Sequence, residues 1–160
     1  INFSENKGIK PIFLKAVDNT NKLQIKKIEK VLEQNLKNLK NKHIAILGVS
    51  FKANTDDIRD SISINLIKLL LKKCSKITIH DPMALENAKK TFKNKISYSE
   101  SIKDTLENTN CVIIMTDWSI YKNITKNDFS TMKNKLVIDT RRILNYKNLD
   151  IKYHAIGLGK

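Results

Sequence analysis

Five short apolar runs, each closed by polar residues and separated by far more chain than a hairpin needs, constrain the fold of this protein more than any other feature. They are His43-Ile44-Ala45-Ile46-Leu47-Gly48, Lys76-Ile77-Thr78-Ile79-His80, Cys111-Val112-Ile113-Ile114-Met115, Lys135-Leu136-Val137-Ile138-Asp139 and Lys152-Tyr153-His154-Ala155-Ile156. Runs this short and this rich in β-branched residues suit strands covered on both faces. The segments between them read as helices. Ser61 is placed to cap a helix from Ile62 to Lys73, and Asp81-Pro82 stops the second strand ahead of a helical stretch from Ala84 to Phe92. A short extended piece at Ile96 to Tyr98 and a helix from Glu100 to Glu107, capped by Ser99, come before the Cys111 run. Strands alternating with helices at this spacing predict an α/β fold with a doubly wound parallel sheet.

A long helix precedes the sheet. From residue 13 to about 40 the apolar residues Ile25, Ile28, Leu32, Leu36 and Leu39 recur at three- and four-residue steps among Lys, Glu and Gln. Such a stripe needs a cover, either the following domain or a second copy of the helix, and a length of about 40 Å favours a connecting or dimerising element. The expected division is therefore a helix over 1–40 and a sheet domain over 41–160. The start, Ile1-Asn2-Phe3-Ser4-Glu5-Asn6, has no initiator Met and no basic-then-apolar leader pattern, and reads as the cut end of a longer chain.

Charge and composition exclude several classes. With 160 residues, 30 Lys or Arg against 16 Asp or Glu, and a net charge of +14, the chain is strongly basic yet has the 41% hydrophobic content of a folding domain. No apolar run approaches the ~18 residues of a membrane span, so no membrane partner is expected and the location expected is cytoplasmic. Cys74 and Cys111 form no CxxC pair and have no His partners in sequence, so neither a disulfide framework nor a metal site is expected. Only Arg59, Arg141 and Arg142 are arginines. The lysines are spread as singles and pairs without interleaved aromatics, which reads as diffuse charge and predicts no specific nucleic-acid partner.

In a parallel sheet the ligand crevice lies beyond the carboxyl ends of the strands. The residues there are Gly48 to Arg59, His80-Asp81-Pro82, Thr116-Asp117-Trp118 and Asp139-Thr140-Arg141-Arg142. Gly48 stands alone where a dinucleotide fingerprint needs G-x-G-x-x-G, so this half is not expected to hold a dinucleotide itself. The first loop offers instead the Lys52 cation beside apolar Phe51, with Arg59 just ahead of a helix, a combination suited to phosphate. From spacing alone an ordinary alternative stands: Lys52 is solvated and Arg59 pairs with Asp56 or Asp57. Asp81 is placed either to meet a ribose or simply to end its strand.

The run Ala45-Ile46-Leu47-Gly48-Val49-Ser50-Phe51-Lys52-Ala53-Asn54-Thr55-Asp56-Asp57-Ile58-Arg59-Asp60-Ser61 resembles the "LGLAFKPNTDDIRES" signature of the UDP-glucose 6-dehydrogenase family. Downstream, His80 to Ala88 resembles that family's "YDPMAMENA", Thr116-Asp117-Trp118 its "TEW", and Asp139 to Arg142 its "DGRN"; Phe13 to Asn21 is similar to the start of its central helix. The resemblance implies a Rossmann-like domain that holds the UDP part of a nucleotide sugar, preceded by the helix that links two domains and builds a homodimer. It implies an enzyme that oxidises UDP-glucose to UDP-glucuronate with NAD, the NAD lying mainly on a preceding domain. Phe51, Lys52 and Arg141 match the family's substrate-binding residues, and Arg59 matches its cofactor-facing arginine. The family's nucleophile lies in a "GGxCxPKD" motif that this chain lacks, so no catalytic residue is expected and the chain alone is expected to be inactive. The alternatives are a non-catalytic dimerising or nucleotide-binding remnant, a dehydrogenase for another nucleotide sugar such as UDP-N-acetylmannosamine, and, from another class, a basic nucleic-acid binder. Thr140 replaces the Gly of "DGRN" and Arg142 its Asn; loss of a residue free to take φ > 0 predicts that the Arg141 contact is re-aimed or lost.

Overall fold

The computed structural model describes residues 2–157; the chain limits Ile1 and 158–160 lie outside the described residues. Six strands form one sheet: β1 (His43–Leu47), β2 (Lys76–His80), β3 (Ser97–Tyr98), β4 (Cys111–Ile114), β5 (Leu136–Asp139) and β6 (Lys152–Ala155). Their spatial order is β3-β2-β1-β4-β5-β6, and every neighbouring pair is parallel. The chain leaves β3 at one edge and returns beside β1, so the strand order reverses between β1 and β4, which opens a crevice at their carboxyl ends. This is the Rossmann-like α/β sheet that the alternating runs predict.

The helices are α1 (Asn2–Asn6), α2 (Ile12–Leu36), α3 (Ile62–Leu70), α4 (Leu85–Phe92) and α5 (Ile102–Leu106). Two apolar layers cover the sheet, and alternate strand residues feed each one. Ile44, Ile46, Ile77, Ile79, Ile113 and Ile138 face Ile28, Leu32 and Leu36 of α2 and Leu66, Ile67 and Leu70 of α3. Ala45, Leu47, Val112, Ile114 and Val137 face Leu106, Trp118, Tyr121, Phe129 and Met132. The connections from β4 to β5 and from β5 to β6 contain only short 3₁₀ turns, Ser119–Asn123 and Tyr146–Asn148, so helices do not alternate with strands throughout.

The amphipathic stripe of α2 is covered by this same domain: Ile28, Leu32, Leu36 and Leu39 are buried and Ile25 partly so. The helix stops at Leu36 and not near residue 40, because Lys37 turns to φ 59° and folds Leu39 back onto the core. The other half of α2 has no such cover; Ile12, Phe13, Val17 and Leu23 are exposed. Two other boundaries shift. Ser61 does cap α3, its side chain accepting from Ser63 N–H, but α3 ends at Leu70 in a turn and not at Lys73. Ser101, not Ser99, caps α5, accepting from Asp104 N–H at 3.2 Å, while Ser99 Oγ accepts from Ser101 N–H.

Candidate functional site

Two buried aspartates shape the carboxyl rim. Asp81, 2% exposed, follows β2 and ties three loops together. Its Oδ2 accepts from Val49 N–H (2.7 Å), Ser50 N–H (3.0 Å), Ser50 Oγ (3.1 Å) and Trp118 Nε1 (3.3 Å). Its Oδ1 accepts from Met83 N–H and Ala84 N–H at 3.0 and 2.8 Å. Of the two sequence readings of Asp81, the local one holds, since a carboxylate taking six protein donors has no lone pair left for a ribose. Asp139, fully buried, does the same after β5: Oδ1 accepts from Arg141 and Arg142 N–H at 2.9 and 2.7 Å, and Oδ2 from Ile143 and Leu144 N–H and the Tyr153 hydroxyl.

The first turn is set by Gly48, at φ +91°, where a Cβ would stand 2.4 Å from Thr116 Cβ. Only glycine lets β1 and the β4 loop approach this closely. The turn does not fit a dinucleotide. Its Val49 and Ser50 amides, which a pyrophosphate would need, are already bonded to Asp81, and α3 begins only at Ile62.

Arg141 is held from one side. Its Nε donates to the Met115 carbonyl at 2.7 Å, and its Nη groups have no protein partner among the described residues. It borders a hollow of about 340 Å³ lined also by Met115, Thr140, Ile62 and, from α2, Asn21, Gln24 and Lys27. These α2 residues were missed in sequence; their signal was the step of three, which places 21, 24 and 27 along one side of the helix that also bears Ile28. Thr140 itself is accommodated without backbone strain. Thr140 takes no positive φ, and its hydroxyl donates to the Ile114 carbonyl at 2.7 Å; the left-handed residue is Arg142, at φ 57°.

The other expected site residues lie apart from this hollow. Phe51 and Lys52 are exposed on the loop after β1, where Phe51 N–H donates to the Asp57 carbonyl. Arg59 borders a different hollow, with Thr55, Asp56, Asn87 and Lys90, and forks onto Asp57 through Nε (3.0 Å) and Nη2 (2.8 Å). The Arg59 hydrogen bonds hold the Asp57 carboxyl down at about 2. Neither cysteine is poised for attack: burial raises the Cys74 thiol to about 11, and burial pushes the fully buried Cys111 well above its ordinary value.

Residues 45–146 match the model of the UDP-glucose/GDP-mannose dehydrogenase family, UDP binding domain. The chain belongs to that family. Among UDP-glucose/GDP-mannose dehydrogenase relatives, a UDP-glucose 6-dehydrogenase of Rickettsia conorii is 36% identical over 165 residues, covering 98% of this chain and 38% of that protein. One from Haloferax volcanii is 35% identical over 137 residues, covering 86% and 31%. The solved UDP-glucose dehydrogenase of Pyrobaculum islandicum superposes with a TM-score of 0.82 at 31% identity, over 96% of this chain and 34% of that one. The UDP-D-ManNAc dehydrogenase of Pyrococcus horikoshii, at 21% identity and a TM-score of 0.66, shares the fold. This chain thus corresponds to the C-terminal, UDP-binding domain of dehydrogenases and spans well under half of their length.

Proposed function

We propose that this chain is the nucleotide-sugar-holding portion of an NAD-dependent UDP-glucose 6-dehydrogenase and that it does not catalyse by itself. The carrying observation is Arg141. One side of its guanidinium is tethered to Met115, which leaves the Nη fork over a hollow at the carboxyl rim, a geometry suited to a diphosphate. Phe51 and Lys52 supply an apolar surface and a mobile cation on the same rim. Arg59, oriented by Asp57, is the cation offered outward toward NAD, which the residues of this chain do not hold. UDP-glucose is favoured over UDP-N-acetylmannosamine because the relatives above 30% identity named here act on UDP-glucose, whereas the latter class matches in fold alone. The absence of an activated thiol supports inactivity of the isolated chain.

The segment over 1–40, which carries α1 and α2, is the linking element in this reading, and the bare apolar half of α2, with Ile12 and Phe13 more than three-quarters exposed, supports a homodimer. A place in polysaccharide precursor synthesis and a cytoplasmic location accompany the same reading. Calorimetry with UDP-glucose, UDP and glucose 1-phosphate tests it. UDP and UDP-glucose bind, glucose 1-phosphate does not, and Arg141→Ala weakens binding about tenfold or more, the scale of a charge-assisted pair. No heat with UDP-glucose at millimolar ligand would sink the proposal, and a monomeric mass by light scattering would remove the dimer.

A further inference from the structure

The sheet sorts the charge. All strands run parallel, so the loops leading into them (37–42, 71–76, 93–96, 107–110, 131–135 and 147–152) gather at the amino edge, and those leading out (48–61, 81–84, 99–101, 115–118 and 139–142) at the carboxyl edge. The first set carries twelve lysines, no arginine and two acids; the second carries four basic residues and seven acids. The reading of the charge as diffuse is therefore corrected: it concentrates on the edge opposite the nucleotide rim.

The cationic edge is level and open. Lys76 stands opposite His43, Lys135 directly precedes the Leu136 that pairs with Cys111, and Lys152 stands opposite Leu136. In this register the three begin their strands within one residue of each other, about 3.3 Å in height, across about 19 Å of sheet. Among the described residues only Lys73 and Lys135 of the twelve have acidic partners. Helix dipoles account for Lys37, Lys72, Lys73 and Lys93, which follow helix ends, but not for Lys76 and Lys152 at strand beginnings or for Lys133 in the turn ahead of β5. The local field is registered by His43, whose pKa falls to about 4, first through burial and then through Lys76 and Lys133.

The chemistry selects the partner. Lysines are point charges without the planar fork that reads a base or a single phosphate, and these loops contain no aromatic residue on which a base could stack. A level array wider than a single stripe matches a planar lattice of phosphates. A hollow of about 480 Å³ beside Lys133, Lys135 and Lys152 gives room for a headgroup. We propose that the amino edge of the sheet is a docking face for an anionic lipid bilayer, held by its row of lysines. Docked this way, the carboxyl rim faces solvent. This contact lies at the bilayer surface and requires no membrane-spanning segment, and it departs from the sequence expectation of no membrane partner.

Vesicle co-sedimentation tests it, comparing pure phosphatidylcholine with a mixture of one part phosphatidylglycerol to two of phosphatidylcholine at about 0.1 M salt, where the Debye length is about 10 Å. The chain is expected to bind the anionic vesicles alone. A combined Lys76→Glu, Lys133→Glu, Lys152→Glu variant loses about tenfold or more, since each lysine near such a surface adds severalfold to partitioning. A Lys26→Glu, Lys103→Glu, Lys122→Glu variant has the same net charge, changed at exposed sites away from that edge, and keeps its binding within about twofold. Equal losses in both variants, or no binding by the wild type, overturn the proposal. Tighter binding to duplex DNA than to vesicles overturns it in favour of a nucleic acid. The amide chemical-shift dispersion of the first variant, followed by NMR, stays that of the wild type if the fold is intact, so a loss of binding is not mistaken for unfolding.

Discussion

Replacing Gly48 by alanine tests how the rim is built. The new Cβ would lie 2.4 Å from Thr116 Cβ, 2.6 Å from its Oγ1 and 2.7 Å from its backbone nitrogen. Carbon atoms pack at about 3.5–4.0 Å, so something must move by about 1 Å or more. Thr116 is fully buried and its hydroxyl donates to the Ser50 carbonyl at 2.9 Å, while the loop on the other side is clasped by Asp81. Neither neighbour yields cheaply. Overpacking of this kind costs about 1–3 kcal/mol, and a left-handed φ adds about 1–2 kcal/mol for a residue with a Cβ. The expected loss is about 2–5 kcal/mol, a large share of the ~5–15 kcal/mol that stabilises a domain, and it lowers Tm by about 4–20 °C. Gly8→Ala is the control. Gly8 also has a positive φ, +73°, but nothing within 4 Å of its would-be Cβ, so it carries the backbone cost alone. Urea titrations of both variants separate crowding from φ strain. Thr116→Ala should not rescue Gly48→Ala, because the crowding Cβ and nitrogen remain. A Gly48→Ala variant that unfolds within about 0.5 kcal/mol of the wild type, inside the noise of surface substitutions, would refute the close-approach argument.

Three further outcomes are expected. Arg142→Asn places a residue that tolerates the left-handed region at φ 57° and keeps the amide that bonds Asp139; it should stabilise by about 0.5–1 kcal/mol, and a lower urea midpoint would contradict this. Acid should weaken the fold through His43: its pKa is 6.5 unfolded and about 4 folded, so the unfolded state takes up the proton first, and stability present above about pH 6.5 is lost as pH falls toward 4. His80 and His154 are lowered by burial too and act in the same direction; a Tm that is flat across that window, or a slope unchanged by His43→Gln, would contradict the reasoning. Cys74 and Cys111 should react slowly with a disulfide reagent at pH 8 in the native protein and fast in urea, and a rapid native reaction would reopen the question of a nucleophilic thiol.

β1, β2, β4 and β5 were legible as short runs rich in β-branched residues, and their parallel arrangement followed from the chain length between them. Helix ends were less legible. The apolar stripe of α2 continues to Leu39 although the helix stops at Leu36, because a left-handed Lys37 carries the pattern into a turn; periodicity records burial and not backbone conformation. The choice of Ser101 over Ser99 as a cap turned on two serines of equal propensity, decided by where the chain enters from β3. At the rim, the motifs pointed to Phe51, Lys52, Arg59 and Arg141 one loop at a time, but which of them share a hollow is a tertiary fact. Asn21, Gln24 and Lys27 join Arg141 only because α2 packs back across the sheet. The clasp of Asp81 was invisible for the same reason, since its donors come from loops up to 37 residues away, whereas Asp139 takes most of its donors from the next five residues. The lysine edge was hidden differently: the residues are scattered in sequence, and only a parallel sheet brings them to one side.

The central claim is that UDP sits at the carboxyl rim. Both edges of the sheet present cations, so binding alone does not locate the ligand. Amide chemical shifts recorded while UDP is titrated into the isotope-labelled chain do. The account predicts changes concentrated at Met115, Thr140 and Arg141, at Phe51 and Lys52, and on α2 near Asn21 to Lys27, all reduced in Arg141→Ala. Changes centred on Lys76, Lys133 and Lys152 with a silent rim would contradict it.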